Sequence, residues 1–225
     1  MFIFRAMENL SCVLCGSDRT EWVHKDDTRM QYMRDYYLCS ECGLIFVPPG
    51  QRLDADEEKS RYDMHENNPE DPRYRKFLSR MFNPISKKLK SDSYGLDFGS
   101  GPGPTLNLML EEEGHTVRIY DPFYADDQSV FDGRYDFITT TETAEHLYNP
   151  LMELDRLWSC LKPGGYLGVM TRRWTAVEEF KNWHYKNDDT HVIFFHEDTF
   201  RWLQKRWKAN LEMYERDVVI FTAHS

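Results

Sequence analysis

The sequence predicts an α/β chain in which a doubly wound, mostly parallel sheet follows a small metal-held head. Three observations carry this. Two Cys-x-x-Cys pairs lie within the first 42 residues, a glycine-rich turn follows a short apolar run near residue 99, and strand and helix periods alternate from there onward. With 225 residues, 40% hydrophobic and 15% aromatic, the chain can bury a sizeable core as one domain with an appendage. A formal net charge of -10 argues against blanketing nucleic acid non-specifically. Mean hydropathy of -0.69 and the lack of a long apolar run predict no membrane span. The opening MFIFRAMENL has too short an apolar patch for a signal-peptide core, so a reducing, cytoplasmic setting is expected.

The head spans residues 1–50. Cys12 and Cys15 ("CVLC") and Cys39 and Cys42 ("CSEC") form two pairs, each followed by a glycine, Gly16 and Gly43. Two residues between thiolates let both reach one ion from a single turn, and the glycine relieves crowding as the chain leaves it. Two such knuckles around strand-like segments ("EWVHK", "YMRDYYLC") predict a zinc ribbon. Disulfides or a redox site are the competing reading; a reducing compartment and the duplicated pattern weigh against them. Four sulfurs leave no position for water, so the zinc is expected to be structural and to supply the head's folding energy. His24 is not needed as a ligand, and Cys160, in a later apolar pattern, reads as a small core residue. RNA binding by the head is disfavoured, because residues 1–50 hold five bases and seven acids.

Residues 51–69 read as an acidic linker: over 51–72 there are eight acids and three bases, with almost no periodic apolar pattern. The next stretch, RYRKFLSRMFNPISKKLK, has seven bases and no acids. Phe77, Leu78, Met81 and Phe82 fall at helical spacing and Pro84 interrupts them, which predicts a pair of amphipathic helices with a solvated basic face.

From residue 94 the pattern is strand ("YGLDF"), turn ("GSGPG"), helix ("TLNLMLEEEG") and strand ("HTVRIY"), ending in Asp121. Ligands of such a unit sit beyond the carboxyl ends of the strands. A phosphate-binding P-loop needs a lysine after the glycines, and none is there. A dinucleotide fingerprint needs a glycine at 104, where the chain has Pro104. Gly99, Gly101 and Gly103, with Asp97 two residues before the first, resemble motif I of class I S-adenosylmethionine-dependent methyltransferases. "RYDFITTTETAEHLYNP" and "LKPGGYLGVMT" resemble that family's fourth strand with its exit, and its fifth strand. The chain is thus similar to methyltransferase domain family 23, with an N-terminal four-cysteine ribbon.

That resemblance implies a Rossmann-like doubly wound sheet over residues 70–225 and S-adenosylmethionine as cofactor. Asp97, Gly99, Ser100, Gly101, Gly103, Asp121, Pro122, Thr141 and Glu142 would bind it. Asp121 would take the ribose hydroxyls, while Glu142 and Glu145 would position groups or meet the methionine amine. Fourteen residues between Asp121 and Asp136 leave little room for the family's third strand, and Asp126, Asp127 or Asp132 would have to reach the adenine. "WHYKNDDTHVIFFHEDTFRWLQKRW" resembles the lid and the helix after it, and "NLEMYERDVVIF" the closing strands. His184, Tyr185, Asp188 and His191 crowd there at spacings that fit no standard metal pattern. His146 and His191 are the candidate catalytic bases, if the acceptor must lose a proton; tying down the lid is the competing role for His191 and Tyr185. The expected reaction is methyl transfer to a small or carrier-bound anionic acceptor. An RNA methyltransferase and a non-catalytic relative that keeps the fold are the alternatives.

Overall fold

The computed structural model describes residues 10–26, 33–64 and 67–224. The segment weighed as a leader, residues 1–9, lies outside them.

The two knuckles are built alike. In each, the glycine N–H donates to the first cysteine's carbonyl (Gly16 to Cys12, 2.9 Å; Gly43 to Cys39, 2.8 Å), and both glycines have φ near +70° (71° and 72°). Between and after them run β1 (Thr20–Asp26), β2 (Arg34–Cys39) and β3 (Ile45–Phe46), all antiparallel. The sheet's fourth strand comes from far along the chain: Ile45 pairs with Phe194 and Phe46 with Ile193.

Within the stretch read as a linker, residues Ala55–Tyr62 form a helix, α1. Its stability is local: Asp54 caps the N–H groups of Asp56 and Glu57, and the Glu57 side chain returns a bond to Asp54 N. The second helix, α2 (Pro72–Ser86), corrects the expected helix pair, for it runs unbroken through Pro84. Pro84 stands in the last turns, where only one carbonyl loses its partner, while Leu78, Met81 and Ile85 bury that face against the sheet.

The main sheet comprises β4 (Tyr94–Phe98), β5 (Thr116–Tyr120), β6 (Tyr135–Thr141), β7 (Leu161–Met170), β9 (Asn210–Tyr214) and β10 (Val218–Thr222), with β8 (Ile193–Phe194) given to the head's sheet. Its order is β5-β4-β6-β7-β10-β9; the first four are parallel, and β10 is antiparallel to both its neighbours. Along β10 side chains alternate between faces. Val218 and Ile220 meet α2 and α3 (Leu106–Glu112). Val219 and Phe221 meet α4 (Pro150–Ser159) and α6 (Glu197–Trp207), through Leu154, Leu157, Phe200 and Leu203. A short α5 (Val177–Phe180) precedes the lid.

As the chain length there implied, no strand lies between β5 and β6 among the described residues; a 3-10 turn, Gln128–Asp132, fills the gap. Lys162–Gly165 bulge from the start of β7, whose register jumps from Tyr135–Leu161 to Phe137–Tyr166, with Gly164 at φ 76°. No described helix is long and apolar enough to cross a membrane.

Phe194 joins head and lid: fully buried, its ring lies 5.1 Å from that of Phe180 and 5.8 Å from that of Tyr36. Phe194→Ala is expected to lose about 3–5 kcal/mol of stability, read as a lower urea midpoint; an unchanged midpoint would show that the shared strand does not hold the two parts together.

Candidate active site

The glycine turn leaves β4 at the carboxyl edge of the sheet, above a cavity of about 720 Å³. Gly99 and Ser100 N–H groups both donate to Tyr120 O, at 2.8 and 3.1 Å, binding the turn to the end of β5. Gly99 (φ 78°) packs so closely on Thr143 that a Cβ would stand 2.2 Å from its Cγ2; at Gly103 a Cβ would stand 2.1 Å from the Asn67 carbonyl oxygen. Asp121 braces the turn: one carboxylate oxygen accepts from Gly101 N (2.9 Å), the other from Phe123 and Tyr124 N (2.9 and 3.2 Å). Asp97 is buried beneath, accepting from Thr139 Oγ1 at 2.9 Å, and burial pushes its carboxyl up to about 6.

Of the residues expected to bind cofactor, Asp97, Gly99, Ser100, Gly101, Asp121, Pro122, Thr141 and Glu142 line the cavity, while Gly103 lies under Asn67. Ser100 Oγ is buried there without a hydrogen-bond partner among the described residues. The acids considered for adenine are elsewhere. Asp126, Asp127 and Asp132 are exposed and off the cavity, with Asp127 held by Arg118. The wall on that side is aromatic, made by Phe98, Tyr120 and Phe123.

At the other end stand the exit of β6 and the lid. Glu142 has φ 48°, and a 3-10 turn over Ala144–His146 buries Glu145 completely. Tyr185 donates its hydroxyl to Glu145 Oε1 and also lies 3.3 Å from Glu142 Oε2. Burial pushes both glutamates up, and Glu145 adds its repulsion on Glu142. His191 Nδ1 lies 2.7 Å from Tyr185 O and His146 Nδ1 lies 3.0 Å from Thr190 O, so each ring directs its proton at a carbonyl. Burial holds His191 down at about 3, keeping it neutral. His146, His191 and Asp188 line the cavity; His184 is exposed, against Arg172. The sequence reading missed the roof. Tyr62, bonded to Glu58 at 2.7 Å, closes over the cavity from α1, and only that i,i+4 pair in the acidic run could have signalled it.

In the head, Cys12 and Cys42 sulfurs lie 3.7 Å apart and Cys15 and Cys39 sulfurs 3.5 Å, and all four ligand atoms lie within 4.8 Å of one another.

The family model described as "Methyltransferase domain" matches residues 65–215. The chain belongs to the methyltransferase-domain family. Among solved structures, this methyltransferase resembles a SAM-dependent methyltransferase from Archaeoglobus fulgidus (15% identity, 66% of this chain and 94% of that one, TM-score 0.50). A Pyrococcus horikoshii protein matches at 13% identity over 73% of this chain and 98% of its own, TM-score 0.50. An O-methyltransferase family protein from Burkholderia thailandensis matches at 16% identity over 75% and 63%, TM-score 0.50. These likenesses concern the fold. No curated protein sequence gives a significant match.

Because burial raises Asp97 above its ordinary value near 4, the native methyltransferase holds this proton more tightly than the unfolded chain does. Its contribution is therefore complete below pH 4 and lost as pH rises through about 6, on the order of 3 kcal/mol. Asp97→Asn should flatten the fall in melting temperature between pH 4 and 6.5; an identical slope would place the titration elsewhere.

Proposed function

We propose that this methyltransferase binds S-adenosylmethionine over the glycine turn and methylates a small or carrier-bound anionic acceptor. The observation that carries the acceptor class is a cleft of about 290 Å³ lined by Arg80, Arg172, Arg173 and Arg216, with Trp174 and Trp183 and a single acid, Glu179. In a chain of net charge -10, four guanidiniums around one cleft favour a phosphate or carboxylate. The cleft adjoins the acceptor end of the main cavity: Arg172 stands 6.0 Å from the Tyr185 ring, and both Arg172 and Arg80 stabilise the charge on Glu142.

When bound, S-adenosylmethionine supplies an electrophilic methyl group on a positively charged sulfur. The chain's own residues align and enclose. Gly99–Gly103 present backbone, Ser100 Oγ and Asp121 offer polar contacts, and Thr141 and Glu142 stand at the methionine end. Tyr62 and the lid exclude water. His146 or His191, both with Nδ1 directed at a carbonyl, can take a proton from the acceptor at the other nitrogen.

The four-cysteine head supports structural zinc. Thiolates about 2.3 Å from a tetrahedral ion lie about 3.8 Å apart, close to the observed 3.5 and 3.7 Å and far from a disulfide. Reduced thiols in that arrangement fit a cytoplasmic setting.

Calorimetric titration with S-adenosylhomocysteine should show micromolar binding, and NAD none; silence from both would remove the cofactor assignment. In a screen with labelled methyl donor, phosphorylated acceptors should be methylated, and Arg172→Ala should lower their kcat/KM at least tenfold. Activity confined to neutral acceptors would overturn the anionic class, and activity on RNA with steep salt dependence would replace it. Purified protein should carry zinc in the cage, and Cys39→Ser should lose one equivalent of it; undiminished metal would refute the four-thiolate cage.

A further inference from the structure

One group of side chains at the acceptor end is poorly explained by proton transfer alone. Glu145 is fully buried; its charged form is favoured by the Tyr185 hydroxyl on Oε1 and, less, by its own backbone and Thr171, while Oε2 has no hydrogen-bond partner among the described residues. No lysine or arginine pairs with it among the described residues; His191 Nε2 lies 4.0 Å from Oε1. A buried carboxylate so poorly matched is costly, and a cation is the usual remedy.

The imidazoles beside it have the form that metal ligands take. His146 and His191 are set edge to face, ring centres 4.7 Å apart. Each directs Nδ1 at a backbone carbonyl, Thr190 O and Tyr185 O, which fixes Nε2 as the lone-pair nitrogen. Ligand atoms of Glu145, His146 and His191 lie within 4.8 Å of one another. Bonds of about 2.1 Å to a tetrahedral ion bring ligands to about 3.4 Å, so small side-chain rotations close the set. Asp188 Oδ2, 3.8 Å from His191 Nε2, adds negative charge on the cavity side.

We propose that Glu145, His146 and His191 form a site for one divalent transition-metal ion at the acceptor end of the methyltransferase cavity. Two imidazoles and a carboxylate, with no sulfur, suit manganese, iron, cobalt or zinc better than magnesium or calcium. Because His146 and His191 line the cavity, the ion's remaining positions face the space an acceptor would fill. Three protein ligands and open positions make a reactive site, unlike the closed cage of the head. An ion there holds an acceptor oxygen and lowers its pKa, which narrows the acceptor to one that presents a hydroxyl. The two imidazoles are then ligands and the ion takes over the work of a base. The inference rests on the methyltransferase reading of the cavity for this last step only; the ion site itself stands on the donor set.

The test is binding of Mn²⁺ to the full chain carrying one equivalent of zinc in its four-thiolate cage, followed by loss of the free-ion EPR signal, with Co²⁺ and its visible spectrum as a second probe. One ion per chain at micromolar affinity is expected, with cobalt bands free of thiolate charge transfer. His146→Ala and the near-isosteric Glu145→Gln should each weaken binding at least tenfold. S-adenosylhomocysteine affinity, measured on the same samples, reports that the cavity is still folded. No stoichiometric binding of either ion, or equal binding by wild type and both variants, overturns the site. Homocysteine-adduct binding without metal would leave the methyltransferase reading standing and remove only the ion, whereas metal without it would do the reverse.

Discussion

The structure depends on one short stretch of backbone, residues 188–194, which is hydrogen-bonded from both sides. On the head's side, Val47 N–H donates to Val192 O at 2.8 Å, β3 pairs with Ile193–Phe194, and the Arg34 guanidinium donates to Asp188 O at 3.1 Å and to His191 O. Toward the Ala144–His146 turn, Val192 N–H donates to Glu145 O at 2.9 Å, and Thr190 O faces His146 Nδ1. The side chains of that same stretch, Asp188 and His191, line the cavity. A buried ion pair, Lys186 with Asp26 at 3.0 Å, adds a further tie between head and lid. The four-cysteine head therefore shares a single strand's width of hydrogen bonds with the wall of the cavity that carries His191.

The other end of the cavity is shaped by what the short crossover leaves out. With no strand beyond β5 among the described residues, the sheet would end with one face of Tyr120 bare. Instead Phe98 and Tyr120 stack at 5.4 Å, and Phe131 from the 3-10 turn meets Tyr120 edge-on at 4.8 Å. Rings replace the missing strand as cover. The same economy sends Asp126, Asp127 and Asp132 outward, where Asp127 caps the turn through Ser129 N–H. The cavity wall at this end is thus built from aromatic rings rather than carboxylates.

Much of this was legible in the sequence, for identifiable reasons. Glycines at 99, 101 and 103, the knuckle cysteines, and the alternation of β4 to β7 are local patterns, each dictated by backbone conformation or strand period, and the structure reproduces those elements. The doubled-back β9 and β10 were equally plain from "NLEMYERDVVIF". What escaped lay at long range. Nothing in Ile193–Phe194 announces that they pair with residues some 150 positions earlier. Nor does α1 show an apolar period, since none of its residues is buried; its capping box and the Glu58–Tyr62 pair are local features that do not show what the helix covers. Pro84 misled because a proline's local rule was read without the burial of Met81 and Ile85, which outweighs the one lost bond.

The least legible feature is the pattern of charge inside the lid. Sequence spacing pointed to His184, Tyr185, Asp188 and His191 as one cluster, yet His184 faces out toward Arg172 and Glu145 comes in from β6 to take its place. Tyr185 stands between the glutamates with its hydroxyl 3.3 Å from both Thr171 Oγ1 and Glu142 Oε2. Replacing such a group by apolar side chains of equal volume would ordinarily raise stability, because buried carboxylates gain less from hydrogen bonds than they lose in hydration. A fold that holds Glu142 at positive φ and Glu145 away from water carries that cost on two adjacent turns of chain. On the side of the arginine cleft, Arg172 and Arg80 offset part of that cost by stabilising the charge on Glu142.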